Sequence, residues 1–201
     1  MLGDVCRSEI DLLTELDDAL NTLDRILTDD DLYHQATLSG ILVRQDAMRD
    51  KICLVTGATS GIGLATALGL AQRGATLILV GRNRARGSMA LERVRDAAEP
   101  TSARFLAADL SVQAEVWQLA QEFQAHYPRL DVLVNNAGGF YHQRQESADG
   151  IEMNWALHIL GPFLLTKLLL PKLKASAAAR VLNISSAMQR VGRMRFKDLE
   201  E

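Results

Sequence analysis

Apolar positions change their spacing part-way along the chain, and each spacing implies a different element. From Leu13 they recur at Leu16, Leu20, Leu23 and Leu27. Steps of three and four put one stripe along a helix, with Glu15, Asp17, Asp18 and Asp24 mostly off it. After the polar break Thr28–Asp31 a second, short helical stretch is predicted over 32–43. So brief a repeat is a poor coiled coil, and a helix packed on its own protein or on a partner is the simpler expectation. From Lys51 short β-rich runs alternate with longer helical patterns, which predicts βαβ units and a parallel sheet. Strands are expected at Ile52–Val55, Thr76–Val80, Arg104–Ala107, Asp131–Val134 and Arg180–Ile184. Helices are expected near Gly61–Arg73, Ala85–Ala98, Val112–Ala125 and from about Gly150 to Leu173. Gly74 suits the left-handed residue after the first of these, and Pro100 ends the second. Ser111 is placed to cap the third, with Val112, Val116, Leu119, Ala120 and Phe123 as its buried stripe. Pro162 should kink or split the last near Gly161.

Composition narrows the class. The chain has 201 residues, 48% hydrophobic and 23% charged, which suits a globular protein of one ordinary domain plus an appendage. Its net charge of −3 points to neither nucleic acid nor an anionic membrane. Residues 1–47 hold eleven acidic and three basic residues, a net of −8, and the remainder 19 basic against 14 acidic, +5. An acidic helical extension, 1–47, is therefore expected before a mildly basic domain, 48–201. Cys6 and Cys53 offer no disulfide framework, so a reduced, cytoplasmic protein is expected. No basic start joins an apolar core in the manner of a secretory signal. Apolar runs such as Phe163–Leu170 fall short of the ~20 residues of a membrane helix. His34, His126, His142 and His158 lack metal-ligand spacing, and no metal site is expected.

The stretch Thr56-Gly57-Ala58-Thr59-Ser60-Gly61-Ile62-Gly63 follows a predicted strand and opens a predicted helix, the context of a phosphate-binding loop. Glycine admits tight backbone angles and lets a diphosphate approach, while the helix N-terminus supplies unpaired N–H donors. About 20 residues on, where NAD-binding folds place a carboxylate for the ribose 2′-hydroxyl, the chain reads Val80-Gly81-Arg82-Asn83-Arg84. Arg82 can pair with a 2′-phosphate, so NADP(H) is favoured over NAD(H).

The first motif, then Asp109-Leu110, then Asn135-Asn136-Ala137-Gly138, then Asn183-Ile184-Ser185-Ser186 resemble, in order and spacing, the short-chain dehydrogenase/reductase family. The resemblance runs from about Met48 to the end. It implies a Rossmann-type doubly wound parallel sheet, of which five strands are present, and an NADP-dependent oxidoreductase. It implies diphosphate contacts from Gly57, Thr59, Ser60, Gly61, Ile62 and Gly63, with Arg82 and Asn83 beside the adenosine. It implies a hydrogen bond from the adenine amino group to Asp109, with Leu110 against the ring. Asn136, Ala137 and Gly138 would lie by the ribose and brace the central strands. Ser186 aligns with the serine that hydrogen-bonds the reacting oxygen. Asp149 to Asn154, Leu160 to Thr166, and Ser185-Ser186-Ala187 running on to Phe196-Lys197-Asp198-Leu199 look like the retinol-dehydrogenase-like branch, which implies a small hydrophobic alcohol or carbonyl substrate. Family members pair through the long helix and the one after it, so a homo-oligomer is among the partners the resemblance implies.

The chain departs from the family in two places. Its general acid/base is a Tyr four residues before a Lys, whereas Tyr33, Tyr127 and Tyr141 are followed at that distance by Thr37, Asp131 and Gln145. The chain ends at Glu201 before such a pair, and a truncated or partial copy, inactive as it stands, is expected. Met48-Arg49-Asp50-Lys51 looks like a family start, which leaves 1–47 as an appendage or as an early start. The family's Asn in the long helix is His158 here, expected to pack. The alternative reading is a non-catalytic nucleotide-binding or protein-interaction module.

Overall fold

The computed structural model describes residues 48–98 and 102–186. The helices expected over 13–27 and 32–43, and the segment from Ala187 to Leu199, lie outside the described residues. Strands β1 (Ile52–Thr56), β2 (Thr76–Gly81), β3 (Ala103–Ala107), β4 (Val132–Asn135) and β5 (Arg180–Asn183) form one sheet in the order β3-β2-β1-β4-β5. Every neighbouring pair is parallel. Helices α1 (Gly61–Ala71), α2 (Arg84–Ala97) and α3 (Gln113–His126) follow β1, β2 and β3. After β4 a loop leads into α4 (Met153–Trp155), a π-turn over Ala156–Leu160 and α5 (Gly161–Lys174). Among the described residues the five predicted strands and four predicted helical stretches are present, with ends displaced by at most three residues.

Strand alternation sorts the apolar residues into two cores. Leu54, Ile78, Val80 and Leu133 pack with Val116, Leu119 and Phe123 of α3 and with Leu165, Leu169 and Leu173 of α5. Cys53, Val55, Leu77, Leu79 and Val134 pack with Leu64, Ala67 and Ala71 of α1 and with Ala90 and Val94 of α2. Burial on both faces is why these strands read as near-continuous apolar runs. Cys53 is fully buried. That burial, with the Asp131 charge, pushes its thiol up to about 12, so it packs as a small apolar group.

Two helix ends test the local expectations. Gly74 has φ +84°, its N–H donates to the Ala71 carbonyl, and Ala75 N–H donates to that of Leu70, closing α1 as expected. Ser111 does not cap the third helix. Val112 holds the cap position with no side-chain bond, because the Ser111 hydroxyl donates instead to Asp109 Oδ1 at 2.7 Å, a charged acceptor close by in the chain. Asp149 Oδ2, from the loop before α4, accepts from Gln113 N–H at 2.7 Å in its place. Val112 is only partly buried, while the rest of the predicted stripe is buried.

The break at Pro162 takes the form of a π-turn in the preceding residues. Proline has no N–H to offer the carbonyl one turn back, and Gly161 N–H donates to Ala156, five residues earlier. A Cβ on Gly161 would lie 2.5 Å from the Leu110 carbonyl oxygen, so glycine is needed where helix and loop touch. The helical run Met153–Lys174 has 22 residues and is long and apolar enough to cross a membrane by length and composition. This corrects the expectation that all apolar runs fall short, because the helix starts well before Phe163. Here Leu165, Leu169 and Leu173 are buried in the core.

At the N-terminal edge of the central strands, the buried Asp131 carboxylate accepts from Ile52 N–H at 2.9 Å, Arg129 Nε at 3.0 Å and Ser176 Oγ at 2.8 Å. Lys51 Nζ lies 3.6 Å away. Burial alone raises this carboxyl, but the three hydrogen bonds and the Arg129 charge outweigh it and hold the group below the usual carboxylate value. A depressed folded-state value stabilises the fold above the unfolded carboxylate value and stops doing so as pH falls through the folded one. Asp131→Asn is expected to cost about 1–3 kcal/mol at neutral pH and to reduce the further loss below about pH 4. Urea midpoints across pH 3–7 measure both, and superimposable profiles for variant and wild type contradict the assignment.

Candidate cofactor cleft

Parallel strands whose crossovers run in opposite directions leave a crevice beyond their carboxyl ends. Here the chain steps from β1 outward to β2 and β3, then returns to β4 on the other side of β1. A cleft of about 550 Å³ lies over that point.

Its floor is the turn between β1 and α1. Gly57 has φ +64° and Gly61 φ +53°. A Cβ on Gly57 would stand 2.8 Å from Ala137 Cα, and one on Gly63 would overlap the Gly57 carbonyl and Asn136 Nδ2. Thr56 and Asn136 bolt the floor to the turn after β4. Thr56 Oγ1 accepts from Asn136 N–H and Ala137 N–H, both at 2.9 Å, and donates to the Val134 carbonyl. Asn136 Nδ2 donates to the Thr56 carbonyl at 2.9 Å. Ser60 precedes α1 in extended conformation without a side-chain cap, so the first-turn N–H groups of Gly61, Ile62 and Gly63 are left to the cleft they line. Free N–H donors and the positive end of the helix dipole suit such a start to an anion.

At one end of the cleft stand Arg82, Asn83 and Asp109. Asn83 Oδ1 caps α2 by accepting from Arg86 N–H at 2.9 Å. The Arg82 side chain is 67% exposed, and its Nη1 lies 3.9 Å from Asp109 Oδ2, a separation at which an exposed pair contributes little. The other Asp109 oxygen accepts from Ser111 N–H and Oγ, and Asp109 N–H donates to Glu115 Oε2 at 2.7 Å. That end therefore presents a cation with room to turn and a carboxylate already oriented.

At the other end the wall is Gly138, Gly139 and Tyr141. Tyr141 is held through its backbone by Asn154, whose Nδ2 donates to the Tyr141 carbonyl at 3.2 Å and whose Oδ1 accepts from Tyr141 N–H at 3.4 Å. Glu152 fixes Asn154 in turn, accepting from its backbone N–H and its Nδ2. His158 does not pack as expected. It is exposed, and its Nε2 accepts from Gly139 N–H at 3.1 Å; the π-turn commits Ala156 and Leu157 to the interior and leaves the imidazole outside it.

The thirteen residues expected to hold a cofactor, Gly57, Thr59, Ser60, Gly61, Ile62, Gly63, Arg82, Asn83, Asp109, Leu110, Asn136, Ala137 and Gly138, all line this one cleft. Ser186 is not among the lining residues; it follows β5, whose residues are all exposed. Arg86, Gly139 and Tyr141 line the cleft without having been singled out from sequence. Arg86 had a signal, since it lies one helical turn beyond Arg82 at a capped helix start. Glu115 had a weaker one, as an acid in the first turn of α3 able to reach back to the backbone before it. Tyr127 stands apart, stacked on Phe123 with centroids 4.9 Å apart. Among the described residues no cluster of three or more His, Cys, Asp or Glu could hold a metal ion.

Known proteins resemble this chain in sequence and in fold. The short chain dehydrogenase family profile matches residues 51–197. Dehydrogenase/reductase SDR family member 13 of Bos taurus is 42% identical over 154 residues, covering 77% of this chain and 40% of that protein. Retinol dehydrogenase 11 of Mus musculus is 37% identical over 162 residues, covering 81% of this chain and 51% of that protein. The chain thus spans about half the length, or less, of these relatives. Among solved structures, a short chain dehydrogenase from Escherichia coli CFT073 complexed with NADPH superposes with a TM-score of 0.67 at 32% identity, covering 75% of this chain and 65% of that one. The chain belongs to the short chain dehydrogenase family, on its retinol-dehydrogenase-like side.

Proposed function

We propose that this chain binds NADP(H) across the cleft and forms the cofactor-holding part of an oxidoreductase acting on a hydrophobic alcohol or carbonyl. One observation carries the reading: uncapped N–H groups of α1, a glycine floor and Arg82 all face a single cleft at the point where the strand order reverses. The residues fit a dinucleotide. Gly57, Gly61 and Gly63 leave room for a diphosphate, α1 supplies donors for it, and Asp109 offers an acceptor to the adenine amino group. Arg82, with Arg86 beside it, offers charge to a 2′-phosphate. The bound nicotinamide would supply or accept the hydride. The NADPH complex of the E. coli relative favours the phosphorylated cofactor, and a relative named for retinol favours an apolar alcohol.

The chain's own residues bind and orient; a tyrosine with lysine four residues on is not among them. Such a positioned acid/base contributes about 10²–10⁴-fold. The 201-residue chain is therefore expected to bind NADPH yet oxidise it negligibly with small aldehydes and ketones. Brisk NADPH consumption, followed at its near-ultraviolet absorbance, contradicts this half of the proposal.

Two substitutions address binding. Arg82→Asp replaces a charge-assisted contact by repulsion, and should weaken NADPH by about 10- to 100-fold while sparing NADH. Parallel fluorescence titrations check this, and unchanged discrimination removes the 2′-phosphate assignment. Gly63→Ala drives a methyl group into the Gly57 carbonyl and Asn136, and is expected to abolish both titrations. Wild-type affinity in that variant is incompatible with the proposed diphosphate seat.

A further inference from the structure

We infer that His158 is a positioning residue of the cleft, acting with Asn154 to hold the Gly138–Tyr141 lip in place for the nicotinamide half of the cofactor. The inference rests on the NADP(H) reading above. The cleft has two ends about the diphosphate floor. Arg82 and Asp109 mark the adenosine end, on the β2–β3 side, so the nicotinamide half falls to the β4 side, where the wall is Gly138, Gly139 and Tyr141.

That wall is a loop, and loops hold shape only where their backbone groups are tied. Two ties come from one helical run. Asn154 makes a two-point bond to the backbone of Tyr141, and His158, four residues further on, accepts from Gly139 N–H. The ring edge lies over the glycines, with Nε2 only 3.4 Å from where a Cβ on Gly138 would stand. The Tyr141 ring closes on Gly139 as well, lying 3.2 Å from the place of its absent Cβ. Accepting a hydrogen bond at Nε2 requires a lone pair there, so the ring proton belongs on Nδ1. Among the described residues this is the ring's one hydrogen bond, and the ring is exposed. It does not fill the core, so its contribution is the bond it makes. The π-turn is what brings it within reach, in keeping with the frequent placement of such turns at functional sites.

A tether on one end of the cleft makes a prediction that general destabilisation does not. In the 201-residue chain, His158→Phe keeps a ring but removes the acceptor. Hydrogen–deuterium exchange at the Gly139 amide should quicken about 3- to 10-fold, and NADPH affinity should fall by a similar factor, as for the loss of one hydrogen bond. His158→Gln restores an acceptor at comparable reach and should restore both readings. Adenosine 2′,5′-bisphosphate, which carries only the adenosine half, should bind wild type and both variants alike, which also shows that the variants are folded. Equal exchange at Gly139 in all three proteins overturns the inference. So does a loss in His158→Phe that is as large for the bisphosphate as for NADPH. If wild type binds neither ligand, the cofactor reading falls and the positioning role with it, while exchange at Gly139 still reports whether the hydrogen bond exists.

Discussion

The Thr56 hydroxyl, accepting two amide hydrogens from the turn beyond β4 while donating to the Val134 carbonyl, is the contact on which the cleft depends. Two loops leave neighbouring parallel strands for crossovers on opposite sides, and nothing in strand pairing keeps their ends together. Thr56 and the Asn136 amide supply several hydrogen bonds there, each worth about 1 kcal/mol net, and glycine at 57 and 63 lets the two backbones close to contact. The same bonds leave the N–H groups at the start of α1 untouched. The floor is thus rigid in its frame and open in its donors, which is the condition for binding an anion without reorganisation.

The opposite ends of β1 and β4 are joined as well, by Asp131 with Ile52, Arg129 and Ser176. The central pair of strands is pinned above and below, and the two apolar layers press on it from either face. Rigidity is therefore greatest at the switch point. Away from it the ties are fewer: Arg82 is exposed at one end of the cleft, and the Gly138–Tyr141 lip hangs from side chains of one helix.

Much of this was legible in the chain because it is encoded over short distances. Apolar runs bounded by Gly, Pro and polar residues marked all five strands, and Gly74 announced its left-handed turn. The glycine-rich loop at the cleft floor was readable because strand, glycines and helix are contiguous. What escaped reading turns on competition between neighbouring groups or on partners far apart in sequence. Ser111 looks like a cap until the Asp109 carboxylate proves the better acceptor, and Gln113 is capped from Asp149, a residue no local rule selects. Pro162 signalled a break but not its form, since the π-turn needs both the missing N–H and the contact of Gly161 with Leu110. His158 resembled a packed residue because outward rotation by a widened turn leaves no periodic trace.

That widened turn has a consequence for how the helix can change. A π-turn holds one residue more than the α-turn it interrupts, so deleting any residue between Ala156 and Leu160 would re-form an ordinary helix. Each residue of an α-helix advances the azimuth by about 100°. Five residues of the widened turn sweep about the same angle as four of an ordinary helix, so after such a deletion Leu165, Leu169 and Leu173 would keep their place in the core and Asn154 its side of the axis. The segment can therefore shed one residue without losing what the helix holds on either side, and what such a loss would change is which side chain the turn pushes outward.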